Sequence, residues 1–202
     1  MKTNKLAILV FSLALILPTT GYARYKSYPL RKINTINTQI NSAKDESISL
    51  NYKVLKAHDC KKYFNTKTIL KRGYQPVQIT LTNNSKHSIA LSPDNFSFRC
   101  ADAQDVANSL HRNGMARGIG FGVGTLWFLP LIFPALIQGF GAVAYNEAMD
   151  IDFANKALKN QVVAPYTTVE GVIFVARDEF TRNFKLTVQD IHGKQSYTLY
   201  SR

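Results

Sequence analysis

Cysteine and histidine are few in this chain and acids are outnumbered by bases, and each shortage closes off a kind of chemistry. Two cysteines, Cys60 and Cys100, and four histidines, His58, His87, His111 and His192, are scattered along it. They form no C-x-x-C or H-x-x-x-H pair, the spacings that place metal ligands on one side of a turn or helix. There is no G-x-S-x-G elbow to present a serine nucleophile. The run from Gly139 to Ala144 has the glycine spacing of a dinucleotide fingerprint. It lacks the βαβ context, and Lys159 stands where the ribose-binding acid is required. Glu147, Asp150 and Asp152 suggest a cation site, but acids at the start of a helix are explained by the helix dipole alone. No catalytic residue, cofactor or metal is expected, and the function read from the sequence is non-enzymatic, the alternatives being a self-assembling or membrane-perturbing glycine hairpin and an envelope hydrolase with an unrecognised site.

Acids are outnumbered, 13 Asp and Glu against 25 Lys and Arg, for a formal net charge of +12. The first 23 residues read as a secretory signal peptide: Lys2 and Lys5 form a basic start, Leu6 to Leu17 an apolar run, and Gly21-Tyr22-Ala23 a small-residue cleavage site. No cysteine lies near that site to accept a lipid, so export without lipidation is expected, to a periplasm or cell envelope. In that compartment an even pair of cysteines favours a disulfide. Bridging Cys60 to Cys100 closes a loop of about 41 residues and stabilises the fold by roughly 4 kcal/mol in the chain-entropy model. His58 and Asp59 beside Cys60 suggest an activated thiolate, a role that a bridged sulfur cannot play.

From Arg24 onward the net charge is +10 and it is unevenly placed: residues 24–100 hold 14 basic and 4 acidic side chains, and residues 101–202 hold nine of each. Arg24, Lys26, Arg31, Lys32, Lys61, Lys62, Lys67, Lys71 and Arg72 would attract an anionic partner such as lipid headgroups or a polyanionic glycan. Export argues against nucleic acid, and no ladder of stacking aromatics accompanies the charge.

Residues 24–46 are polar and read as a flexible arm. From Ser47 the pattern alternates, with Ile48, Leu50, Tyr52, Val54 and Leu55 fitting a half-buried strand. Pro76 to Thr82 repeats the signal, Asn83 to Lys86 turns, and His87 to Leu91 runs back as the partner of a hairpin. Ser92 to Asn95 turns again before a strand from Phe96 to Cys100. Further strands are expected over 168–176, 183–190 and 195–200, with Gly171 marking a bulge. Asn83-Asn84-Ser85 and Asn95-Phe96-Ser97 match glycosylation sequons. Short strands joined by turn residues give the fold class: mainly β, an antiparallel immunoglobulin-like β-sandwich built from 47–100 and 162–202.

Residues 101–160 interrupt it. Amphipathic helices are expected over 102–115 and 147–159, flanking 29 uncharged residues, 118–146, that include six glycines. Three arrangements are open. A single membrane crossing would put the two half-sandwiches on opposite sides and contradict the positive-inside tendency. A hairpin bent near Pro130 or Pro134 would dip into a bilayer from one side, its arms approaching through Gly118, Gly120, Gly122, Gly124, Gly139 and Gly141, with Trp127 and Phe128 at the interface. A hairpin buried in protein would imply no membrane. The signal peptide, the run GYQPVQITLTNNSKHSIALSPDNFSF and the run VEGVIFV together resemble uncharacterised exported bacterial envelope proteins with a β-sandwich and a Gly-rich apolar insert. The dipping hairpin is the arrangement this reading adopts. Expected partners are membrane lipid or an envelope protein, with an anionic glycan or a second copy of the chain as further candidates.

Overall fold

The computed structural model describes residues 24–33, 48–112, 132–192 and 195–201, with the backbone alone over 132–140. The elements are β1 Ile48–Val54, α1 Ala57–Phe64, α2 Thr68–Lys71, β2 Tyr74–Asn83, β3 Ile89–Leu91, a 3-10 turn Pro93–Asn95, β4 Cys100–Ala101, α3 Ala103–Leu110, α4 Ile132–Lys156, β5 Gln161–Val163, β6 Thr167–Ala176, β7 Lys185–Asp190 and β8 Ser196–Tyr200. The protein is mainly β, with two four-stranded antiparallel sheets ordered β1-β2-β6-β4 and β5-β3-β7-β8.

The inner faces of the sheets share one core. Alternate residues Ile48, Leu50 and Tyr52 of β1, Val77, Ile79 and Leu81 of β2, and Ile173 and Val175 of β6 meet Ile89, Leu91, Val163, Leu186, Val188 and Leu199 of the second sheet. Each such aliphatic side chain contributes about 1.5–3 kcal/mol on full burial. β6 is buried continuously from Gly171 to Val175 because its other face is covered too. There Val172 and Phe174 pack under a helical layer of Cys60, Tyr63 and Phe64 of α1, Ile69 of α2, Val106 and Ala107 of α3, and Tyr145, Met149 and Phe153 of α4. The spacing of Tyr145, Met149 and Phe153, one every four residues, keeps them on one side of α4.

The strands expected near 48–54, 76–82, 168–176, 183–190 and 195–200 are present, but the expected β2–β3 hairpin is not. β2 lies in the first sheet between β1 and β6, whereas β3 pairs β5 and β7 in the second. Asn83 fixes this crossover. Fully buried, its amide nitrogen donates to the carbonyls of His87 at 2.8 Å and of Val163 and Ala164 at 3.1 Å. Its amide oxygen accepts from the Ser85 backbone N–H at 3.0 Å and the Ser85 hydroxyl at 2.6 Å. One side chain thus ties the end of β2 to β5 and to the segment leading into β3, and its burial removes the first sequon from use.

Two more expectations change. The strand expected from Phe96 to Cys100 shrinks to β4, because Phe96 bridges Leu186 in the other sheet and Phe98 packs against Phe96, Phe180 and Phe184. Gly171 is not a bulge: it keeps register opposite Ile79. It is small because the chain at Leu158 lies against it; an added Cβ would come within 2.7 Å of Leu158 Cα and 2.8 Å of its backbone nitrogen.

Candidate functional site

Arg112, just beyond the end of α3, is tied to Asn146 of α4. The Arg112 backbone N–H donates to Asn146 Oδ1 at 3.0 Å, and Asn146 Nδ2 donates to the Arg112 carbonyl at 3.2 Å. The Arg112 guanidinium lies 3.6 Å from the centre of the Tyr145 ring, a close cation–π contact. One turn along, His111 Nε2 and Asp150 Oδ1 are 2.7 Å apart. Sequence prepares this neck. Asp102 caps α3, accepting from the Gln104 and Asp105 backbone N–H groups at 2.7 and 3.3 Å. α3 then runs alongside α4, so that His111 and Arg112 arrive beside Tyr145, Asn146 and Asp150.

Beside the neck, residues 24–33 form a strap across the helical layer. Tyr25, Ser27 and Leu30 turn inward. The Tyr25 hydroxyl donates to Asp152 Oδ2 at 2.7 Å and the Ser27 hydroxyl to Asp152 Oδ1 at 2.8 Å. Lys156, one helical turn beyond Asp152, donates to both carboxylate oxygens at 2.6 and 2.8 Å, to Ser27 Oγ at 3.0 Å and to the Tyr63 carbonyl. Tyr25 also meets Tyr145 edge to face at 5.3 Å. Further on, the Tyr28 N–H donates to the Lys62 carbonyl at 3.1 Å and Gln78 Nε2 donates to the Arg31 carbonyl at 2.8 Å. Burial, then the hydrogen bond to Asp152, raises the Tyr25 phenol far above its ordinary value. Burial also pulls the Lys156 ammonium below its ordinary value, although Asp152 acts in the opposite direction. A groove of about 530 Å³ adjoins, lined by Ser27, Pro29, Leu30, Asp152, Asn155, Lys156 and Glu170. The three Lys156 N–H groups and both Asp152 oxygens are already engaged, so the pair holds the strap in place.

These contacts alter several expectations. The first ten residues of the arm read as flexible, 24–33, are docked; 34–46 lie outside the described residues. Asp150 and Asp152 are not at a helix start, because α4 runs unbroken from Ile132 to Lys156, uniting the expected helix 147–159 with the end of the apolar stretch. Gly139 and Gly141 therefore sit inside a helix, and with them the dinucleotide-like run. Pro134 falls in the first described turn of α4, where its missing N–H breaks no helical bond. Gly118, Gly120, Gly122, Gly124, Trp127, Phe128 and Pro130 lie outside the described residues, as do residues 1–23, read above as a signal peptide.

The disulfide is a correction. Cys60 and Cys100 are both free thiols. Cys100 pairs with Val175 and packs into the core between the sheets, whereas Cys60 packs under the helical layer with Phe174. The alternation of a strand puts Val175 and Phe174 on opposite faces, so the first sheet stands between the two sulfurs. Burial, reinforced by Asp59, pushes the Cys60 thiol up to about 11; burial and Asp94 push Cys100 up to about 12. Neither is an activated thiolate.

Among the described residues no group of three or more His, Cys, Asp or Glu is placed to hold a metal, and no helix is long and apolar enough to cross a membrane. The strap was not legible beforehand, although the alternation of Tyr25 and Ser27 with Arg24 and Lys26 was there to be seen. Compared with known protein families, characterised proteins and solved structures, the chain matches none.

Proposed function

We propose that this is an exported, non-enzymatic protein of the cell envelope, an immunoglobulin-like β-sandwich held at a membrane by its apolar segment 118–146 and serving as a binding or structural module. The observation that carries the reading is the neck: Arg112 and Asn146 are hydrogen-bonded to each other at the two ends of the stretch that contains the uncharged run. A segment that starts and finishes at one point enters and leaves a bilayer on one side. The pairing of β2 with β6 over ten residues each supports the same conclusion, since one strand precedes the segment and the other follows it. A single crossing would have to pull that ladder apart.

Length fits a shallow insertion. The helical return arm, 132–144, rises about 20 Å at 1.5 Å per residue, short of the roughly 30 Å hydrocarbon core. The run carries no charge whose desolvation would oppose entry, and Trp127 and Phe128 suit the headgroup boundary. The test is to express the chain, collect membranes and wash them with alkaline carbonate. Retention of the full chain, with release of a folded variant lacking residues 118–140, is the expected result. Full release of the unaltered chain into the wash would overturn the membrane reading and turn attention to a protein-covered segment.

A further inference from the structure

The strap with its neighbours α1 and α2 concentrates the protein's charge on the layer from which the apolar segment departs. Residues 24–33 and 53–73 carry eleven Lys and Arg against one acid, Asp59, and so account for the entire +10 of the chain from Arg24 onward; the remainder is neutral, twelve against twelve. Packing sorts these side chains by side. Tyr25 and Ser27 face Asp152, leaving Arg24 and Lys26 exposed; Cys60, Tyr63, Phe64 and Ile69 are buried on the sheet, leaving Lys61, Lys67, Lys71 and Arg72 exposed. Among the described residues, Lys53 is the member of this set with an ion pair, at 2.7 Å from Asp59. The hydrogen bond from Tyr28 to Lys62 joins the strap to α1, making the two parts neighbours.

We infer that the outer side of the helical layer is a docking surface for anionic lipid headgroups, which would orient the protein with this layer against the membrane and the β5-β3-β7-β8 sheet away from it. The choice of lipid as occupant rests on the membrane reading above; the charge placement stands without it. Two features of one layer point the same way. The part of it formed by the strap, α1 and α2 has eleven basic side chains against one acid and so complements a phosphate-rich plane, the layer's other acids, Asp102, Asp105, Glu147, Asp150 and Asp152, lying with the neck at α3 and α4. That neck delivers the apolar segment. Lys and Arg held near such a surface strengthen binding by about 1 kcal/mol each, a roughly fivefold change apiece, and salt screens the effect within about 10 Å.

The experiment measures sedimentation of the full chain with phosphatidylcholine vesicles, with and without phosphatidylglycerol, at low and high salt. Binding at least about tenfold tighter to the anionic vesicles at low salt is expected, with the difference removed by salt. It should also be removed in K26Q/K67Q/K71Q/R72Q, whose unchanged urea midpoint would show that it folds. The salt series on the unaltered chain tests the proposal even if that variant does not fold. Equal binding to both vesicle types would overturn it while leaving the apolar anchor intact. Anionic binding that high salt strips completely would support this surface while removing the anchor. Tighter binding to an immobilised anionic glycan than to the anionic vesicles at the same salt would overturn lipid as the occupant.

Discussion

Replacing Asp152 with alanine tests how the helical layer is held together. Its carboxylate accepts from Tyr25, Ser27 and Lys156 at 2.6–2.8 Å, and the side chains of Lys156 and Asp152 are 10% and 17% exposed. Removing it leaves an ammonium in a site already unfavourable for charge and a phenol without its acceptor. Breaking a buried pair costs about 3–5 kcal/mol; the remaining exposure of both groups, and the Ser27 and Tyr63 acceptors left to Lys156, place the expected loss near the lower end, about 3 kcal/mol. The strap should loosen with it, because Tyr25 and Ser27 are its inward anchors. Urea unfolding gives the first quantity, and the rate of tryptic cleavage after Lys26 in native buffer gives the second. Asp152→Ala/Lys156→Met should recover a good part of the stability, since no unpaired charge remains, while still leaving the strap susceptible. A loss below about 0.5 kcal/mol, the range of an unimportant surface change, with unchanged tryptic cleavage, would refute this account of the layer.

Gly171→Ala should destabilise by about 1–3 kcal/mol, the usual range for overpacking, because both nearest atoms belong to the Leu158 backbone and Leu158 N–H donates to the Val172 carbonyl at 2.9 Å; an unchanged urea midpoint would mean that the two segments do not touch. Thiol titration of protein denatured without reductant should count two free sulfhydryls, and the native protein at pH 8 should react slowly at both; a count of zero would establish the bridge instead. Stability should fall as pH rises above about 9. Cys60, Cys100 and Tyr25 all have raised values when folded, so the unfolded chain loses its protons first and their stabilisation is complete below the unfolded values and lost above them. Lys156, lowered in the fold, acts oppositely as pH approaches 10.5 but is one group against three. Urea midpoints that rise between pH 8 and pH 10.5 would contradict this, and replacing both cysteines with alanine should flatten the fall.

Most of the sheet framework was legible because its strands have one wet face: Ile48, Leu50 and Tyr52, or Leu186 and Val188, announce themselves by alternation. Pairing was not. A turn after Asn83 reads as a hairpin, and the contacts that send β3 to the other sheet come from Val163 and Ala164, some 80 residues away. The same limit explains the cysteines. Parity and an expected export favour a bridge, but the face on which Cys100 falls depends on its register against Val175, which local pattern does not contain. Helices α1 and α2 were missed although Cys60, Tyr63 and Phe64 have helical spacing; the surrounding lysines masked the short apolar side. The strap was read as an arm because its polarity hides the fact that Ser27 and Tyr25 bind a half-buried carboxylate. The α4 neck was half visible, in that Tyr145, Met149 and Phe153 are evenly spaced, while its clasp depends on an asparagine and a backbone group 34 residues apart.

The most direct measurement of the central claim uses a membrane-impermeant maleimide on chain reconstituted into sealed vesicles, in a Cys60→Ala/Cys100→Ala background. Single cysteines are placed before the segment at Lys61, after it at the exposed Ile151, and within it at Trp127. The account predicts that Lys61→Cys and Ile151→Cys react from the same side at similar rates, while Trp127→Cys is protected until detergent is added. Reaction of Lys61→Cys and Ile151→Cys from opposite sides, or a Trp127→Cys that reacts equally fast with and without vesicles, would contradict it.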